Sequence, residues 1–147
     1  MTHAARRVSL LRAFVYSTPT VGADWVVVHM TDDYAVYIDA AGIRFRPHET
    51  RAWFLWNYAH PQTMEGPART RYFSVKSLAL IDCERRRRAI LKAYYYREPL
   101  GIGPVVGSAT SSKRVVFDDV IPDTVGDMMI IAACETRHEG VHLGPVI

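Results

Sequence analysis

From Asp24 onward, the chain runs as short apolar or alternating stretches broken by turn residues, and each stretch predicts a strand. Trp25 to Met30 is apolar and β-branched, and Thr31-Asp32-Asp33 makes a turn after it. Tyr34 to Ile38 is β-prone, Asp39 to Gly42 turns again, and Ile43 to Arg46 alternates apolar with arginine up to Pro47. Arg51 to His60 carries Trp53, Phe54, Trp56 and Tyr58, which suit a pleated, half-buried surface. Residues 60–68 hold two prolines and a glycine and predict a hairpin tip. Arg69 to Asp82 then predicts a full strand. Phe73, Val75, Ser77, Ala79 and Ile81 share one face, and Tyr72, Ser74, Lys76 and Leu78 the other. Glu84 to Arg97 predicts its hairpin partner, with Ile90, Lys92 and Tyr94 opposite Leu91, Ala93 and Tyr95. Pro99 to Gly107 is turn-rich and becomes extended at Val105 and Val106. Residues 108–114 predict a solvated loop, and Val115 to Phe117 a short strand.

The period then changes. Pro122-Asp123-Thr124 predicts a helix start, with Asp123 or Thr124 as N-cap. Val125, Met128, Met129 and Ala132 recur at helical spacing and predict a buried face of about three turns. Cys134 is expected to close this helix, and residues 135–147 to form a loose tail. Strands without intervening helices pair antiparallel. The expected fold is therefore α+β: an antiparallel sheet of about six strands with one C-terminal helix on one face.

Composition adds bounds. The 147 residues suit one core, and 49% hydrophobic with 22% charged residues is globular. The formal charge of +3 is mild and acidic residues are interspersed, which argues against a nucleic-acid binder. No run of about 18 apolar residues occurs, so no transmembrane helix is expected. Residues 1–23 read either as a flexible N-terminal segment or as a degenerate signal peptide. Arg6 and Arg7 precede the apolar run Val8 to Tyr16, which Arg12 interrupts. The two cysteines, Cys83 and Cys134, permit one bridge. They read as buried thiols in the cytosol and as a disulfide in an exported protein.

Candidate chemistry is sparse. Arg85, Arg86, Arg87 and Arg88 form the densest charge run, which suits either acidic ligands or a solvated hairpin tip. Alternation would place Lys92, Tyr94 and Tyr96 on one face with Arg86 and Arg88, and this is the expected ligand-binding surface. The aromatics of Arg51 to His60 suit packing, or an exposed protein-binding patch. Gly101, Gly103 and Gly107 fail as a dinucleotide loop because no helix opens there. His138 and His142 are spaced for a shared metal, but Gly140 between them opposes the helix this needs. No Ser-His-Asp or Cys-His grouping is apparent. No catalytic residue, metal or cofactor is expected.

An ordered series runs through these segments: Trp25-Val-Val-Val, Val36-Tyr37-Ile38-Asp39, Ile43-Arg44, Ala52-Trp53-Phe54-Leu55, and Tyr58 with Pro61. It continues with Arg71-Tyr72, Ser74 to Leu78, Ile81-Asp82-Cys83, Tyr94-Tyr95, Gly101 with Val105-Val106, Pro122 and finally Cys134. The series resembles the surface-adhesin protein E-like domain over residues 24–134. The resemblance implies a Cys83–Cys134 disulfide that fastens the helix across the sheet. It also implies a bacterial protein exported to the periplasm, outer membrane or cell surface, and often lipid-anchored. The implied action is non-enzymatic binding to host matrix and serum proteins such as laminin and vitronectin. Two alternatives stand beside this reading: an envelope structural module, with homodimer formation through its sheet surface as an option, and a small-molecule or lipid binder on the sheet face beneath the helix.

Overall fold

The computed structural model describes residues 22–111 and 114–139. The candidate signal in residues 1–21, the tail beyond Glu139 and His142 lie outside the described residues. The elements are β1 (Trp25–Met30), β2 (Tyr34–Asp39), β3 (Arg44–Arg46), β4 (Glu49–Thr63), β5 (Arg71–Asp82) and β6 (Arg87–Tyr96). A 3-10 turn (Pro99–Gly101), β7 (Val105–Thr110), β8 (Asp118–Asp119) and α1 (Val125–Glu139) follow. The strands form one antiparallel sheet in the order β1-β2-β4-β5-β6-β7, with β3 paired to β4 and β8 to β6. The α+β expectation therefore holds, with eight strands in place of about six.

Five local expectations are corrected. β4 runs on through Pro61 to Thr63, inside the expected loop. Three extra residues bulge out of the ladder between Asn57 and Gln62, so the proline, which has no N–H, is not required to donate across the strands. Tyr72 lies beyond that irregularity and meets Tyr58 and Tyr95, the face of Val75 and not that of Ser74. Residues 105–110 pair with β6 where a loop was expected from residue 108, and the last short strand sits at Asp118–Asp119, not at Val115 to Phe117. Helix α1 continues five residues past Cys134, because the first helix-breaking residue after it is Gly140.

Thr124 caps α1: its Oγ1 accepts the Asp127 N–H at 3.4 Å, and Asp127 Oδ2 accepts the Asp123 N–H at 3.2 Å. The buried face of α1 is Gly126, Met129, Ile130 and Ala133, rotated from the expected one, while Met128 and Ile131 are partly exposed. Two tethers set this phase. Cys134 must face Cys83, and Asp127 pairs with Arg86 on the β5–β6 turn. Met129, Ile130 and Ala133 pack on Val36, Ile38, Phe54, Ala79 and Ile81. Full burial of a side chain such as Met129 or Ile130 contributes about 1.5–3 kcal/mol.

The cysteines form the Cys83–Cys134 disulfide, with Cα atoms 5.9 Å apart across a sequence separation of 51. Cys83 opens the turn that ends β5, and the bridge joins the last turns of α1 to it. Closing a loop of that length stabilises by about 4 kcal/mol in the chain-entropy account. Reduction, or Cys134→Ser, should lower the Tm by roughly 10–15 °C, at about 3–4 °C per kcal/mol for a domain near this size. A melt unchanged by reductant would contradict this role.

Candidate functional site

The expected surface combined an arginine run with Lys92, Tyr94 and Tyr96. The β5–β6 register separates them. Leu78 pairs with Lys92 but Ala79 pairs with Ile90, so Leu91 bulges and the alternation inverts at that point. Arg88 pairs with Ile81 and lies on the helix side of the sheet, whereas Lys92, Tyr94 and Tyr96 pair with Leu78, Lys76 and Ser74 on the opposite side. The expectation that Arg88 joins the tyrosines is thereby corrected. Arg86 is not on the strand at all. It occupies the turn with φ of 51°.

Each arginine has its own contacts. Asp82, 6% exposed, accepts the Arg85 backbone N–H at 3.0 Å and the Arg87 guanidinium at 2.9 Å, with Arg85 Nη1 at 3.4 Å. Arg87 also lies over the Phe117 ring, 5.1 Å from its centroid. Arg86 donates to Asp127 of the helix. Arg88 donates to Met129 Sδ at 3.1 Å. Three of the four thus close the hairpin or dock the helix through a carboxylate, which limits what they offer a ligand.

The helix-free side assembles a different site around Lys76. Trp53 stacks on Tyr94 with centroids 6.2 Å apart and an interplanar angle of 29°. Lys76 Nζ lies 5.0 Å from the Tyr96 ring and 5.8 Å from the Trp25 ring. It also donates to the Gly101 carbonyl at 3.1 Å. Together with Asp39 and Val105 these groups line a depression of about 420 Å³. Asp39 is committed to local structure, since its Oδ1 accepts the backbone N–H of Asp24 at 2.9 Å and of Gly42 at 3.1 Å. Lys92 is exposed on the same side.

The 3-10 turn holds Lys76 in place. Fully buried Ser74 donates to Glu98 O at 2.6 Å and accepts the Gly101 N–H at 2.8 Å, and Asn57 Oδ1 accepts the Leu100 N–H at 2.6 Å. Gly101 has φ of 66°, and a Cβ there would sit 2.2 Å from Lys76 Cε. The glycine that failed as part of a nucleotide loop is needed for this close approach. The resulting surface is a rigid aromatic floor with one ammonium group. Such surfaces suit recognition of another molecule's apolar and polar groups, and tryptophan and tyrosine dominate binding energy where they occur.

The family model for surface-adhesin protein E matches residues 25–135. The chain belongs to the surface-adhesin protein E family. The fold agrees: crystal form II of Haemophilus influenzae protein E superposes with a TM-score of 0.54 at 17% identity, covering 74% of this chain and 91% of that one. A second structure of Haemophilus influenzae protein E gives 0.53 at 18% identity, covering 84% and 94%. Protein E from non-typeable Haemophilus influenzae gives 0.53 at 16% identity, covering 87% and 86%. No curated protein matches the chain.

Within this adhesin E fold, the sequence reading reached Tyr94, Tyr96 and Lys92 but missed Lys76, Trp25 and Trp53 as their neighbours. Lys76 had a signal, because counting back from the β5–β6 turn places it close to Tyr94. Trp25 had none, since it arrives from a strand four places away from β6 in the sheet order.

Asp82 is a carboxylate of this adhesin E domain with a shifted pKa. The Arg85 backbone N–H, followed by the Arg87 side chain, holds its carboxyl below the usual aspartate range despite burial. An aspartate with a lowered folded-state pKa contributes stability that is full above its unfolded value of about 3.9 and is lost as pH falls through the folded value. Asp82→Asn should therefore lower the Tm at neutral pH, and the gap to the native chain should close below about pH 4. Thermal melts of both proteins from neutral to acid pH check this. A gap that persists undiminished at about pH 2 would contradict it.

Proposed function

We propose that the chain is an exported bacterial surface protein that acts by non-enzymatic contact with host matrix or serum proteins. The contact surface is the Lys76 patch formed with Trp25, Trp53, Tyr94 and Tyr96. Family membership supports the class of function. The disulfide supports export, because such bonds persist in oxidising compartments. Among the described residues, no helix is long and apolar enough to cross a membrane. The observation that carries the placement is the aromatic, cation-bearing depression on the side of the sheet without the helix. A partner fits it by inserting an apolar side chain against Trp53 and Tyr94, while a carboxylate or carbonyl meets Lys76.

Solid-phase binding to laminin and to vitronectin tests this reading. Truncating a central aromatic anchor typically costs at least about 2 kcal/mol, roughly thirtyfold in Kd. Trp53→Ala and Tyr94→Ala should each weaken binding by about that factor. Arg85→Ala, at the exposed hairpin tip, should change it by less than about threefold. Circular dichroism melts establish that the variants are folded. Native protein that binds neither ligand would sink the host-contact reading and favour an envelope structural role.

A further inference from the structure

The helix leaves part of its own side of the sheet open. A groove of about 270 Å³ lies there, walled by Trp56, Tyr58, Tyr72 and Tyr95 and bounded by Ser77 and Arg88. Its wall is ordered: Tyr72 meets Tyr95 edge-on at 5.0 Å and Tyr58 at 6.0 Å. Two polar groups at the groove have unmet needs. Ser77 is 5% exposed, and its hydroxyl has no hydrogen-bond partner among the described residues. The Arg88 guanidinium donates to a thioether, a weak acceptor, and no carboxylate of the described residues lies within ion-pair distance of it.

The surroundings of Arg88 favour an incoming anion. It lies at the start of α1, where a Cβ on Gly126 would sit 3.3 Å from its Nη2. The positive end of the helix dipole therefore adds to its charge. Burial disfavours the charged guanidinium, as its lowered pKa reflects, with Asp118 acting in the opposite sense. Asp118 and Asp119 line the adjoining cavity with Arg88, so a monoanion suits the site better than a dianion. Burial, then neighbouring Tyr72, Tyr95 and Tyr34, push the Tyr58 hydroxyl up to about 12, so Tyr58 stays neutral.

We propose that this groove binds a small amphiphilic carboxylate, with its apolar body on the tyrosine–tryptophan wall and its carboxylate on Arg88. The site faces away from the Lys76 patch and does not depend on the host-contact reading.

Titration of the 15N-labelled full chain with octanoate, and separately with octanol, tests it. Octanoate should shift the Trp56 indole and the Ile90 and Ala93 amides, with the Trp53 and Trp25 indoles unmoved. Octanol should bind the same residues about tenfold or more weakly, the usual worth of a hydrogen bond to a charged group. Arg88→Gln should reduce octanoate to the octanol affinity and leave octanol unchanged. The octanoate–octanol comparison on the native chain decides the matter if that variant fails to fold. Absence of octanoate binding, equal affinity for the two probes, or shifts at Trp53 and Trp25 would each overturn the proposal.

Discussion

The Cys83–Cys134 bridge determines which part of the sheet the helix covers. A helix of 15 residues cannot cover a sheet with strands of up to 15 residues, so its position decides what remains open. The bridge anchors its C-terminal turns at the end of β5, and the Arg86–Asp127 pair anchors its first turn to the same hairpin. Met129, Ile130 and Ala133 then seal the side of β2, β4 and β5 that bears Val36, Phe54 and Ile81. The aromatic groove beside Arg88, and the whole opposite face with Lys76, are the consequence. Covalent and ionic tethers suit this task because a short buried stripe supplies little specificity of placement on a broad apolar face.

Strand periodicity made the sheet legible. β1, β2 and β5 were bounded within one or two residues, because Asp, Gly and Pro mark their ends. The helix was legible in its start, since Thr124 supplies the cap, and less so in its phase and end. Its pattern is apolar on too many sides to select one face, with Met128 and Ile131 as greasy as Met129 and Ile130. The choice among them came from Cys134 and Asp127, whose partners lie 51 and 41 residues away. Contacts at that separation leave no local trace.

The expected placement of Arg88 on one face with Lys92, Tyr94 and Tyr96 breaks at one residue. Leu91 is an ordinary strand former with no glycine or proline beside it, so nothing local marks it as a bulge. Yet a single inserted position moves every residue beyond it to the other face. That inversion sends Arg88 beneath the helix and leaves Tyr94 and Tyr96 on the free face. A bulge confers local twist at the cost of ladder continuity, and here the Ser111 N–H donates to the Leu91 carbonyl at 2.9 Å.

The basic run is divided by carboxylate pairing as well as by that inversion. Arg85 and Arg87 share Asp82, Arg86 takes Asp127, and these carboxylates are nearly buried. Removing either carboxylate would leave guanidinium groups unpaired at the hairpin, so the arginines and acids are held as sets. Arg88 alone of the four points to the helix side without an ion-pair partner among the described residues. Its neighbours are a thioether, the positive end of a helix and Asp118, which attracts it from beyond ion-pair distance. Burial disfavours the charge of a cation in that position, and Asp118 opposes that effect. This separates Arg88 from the three arginines beside it, each of which pairs with a carboxylate.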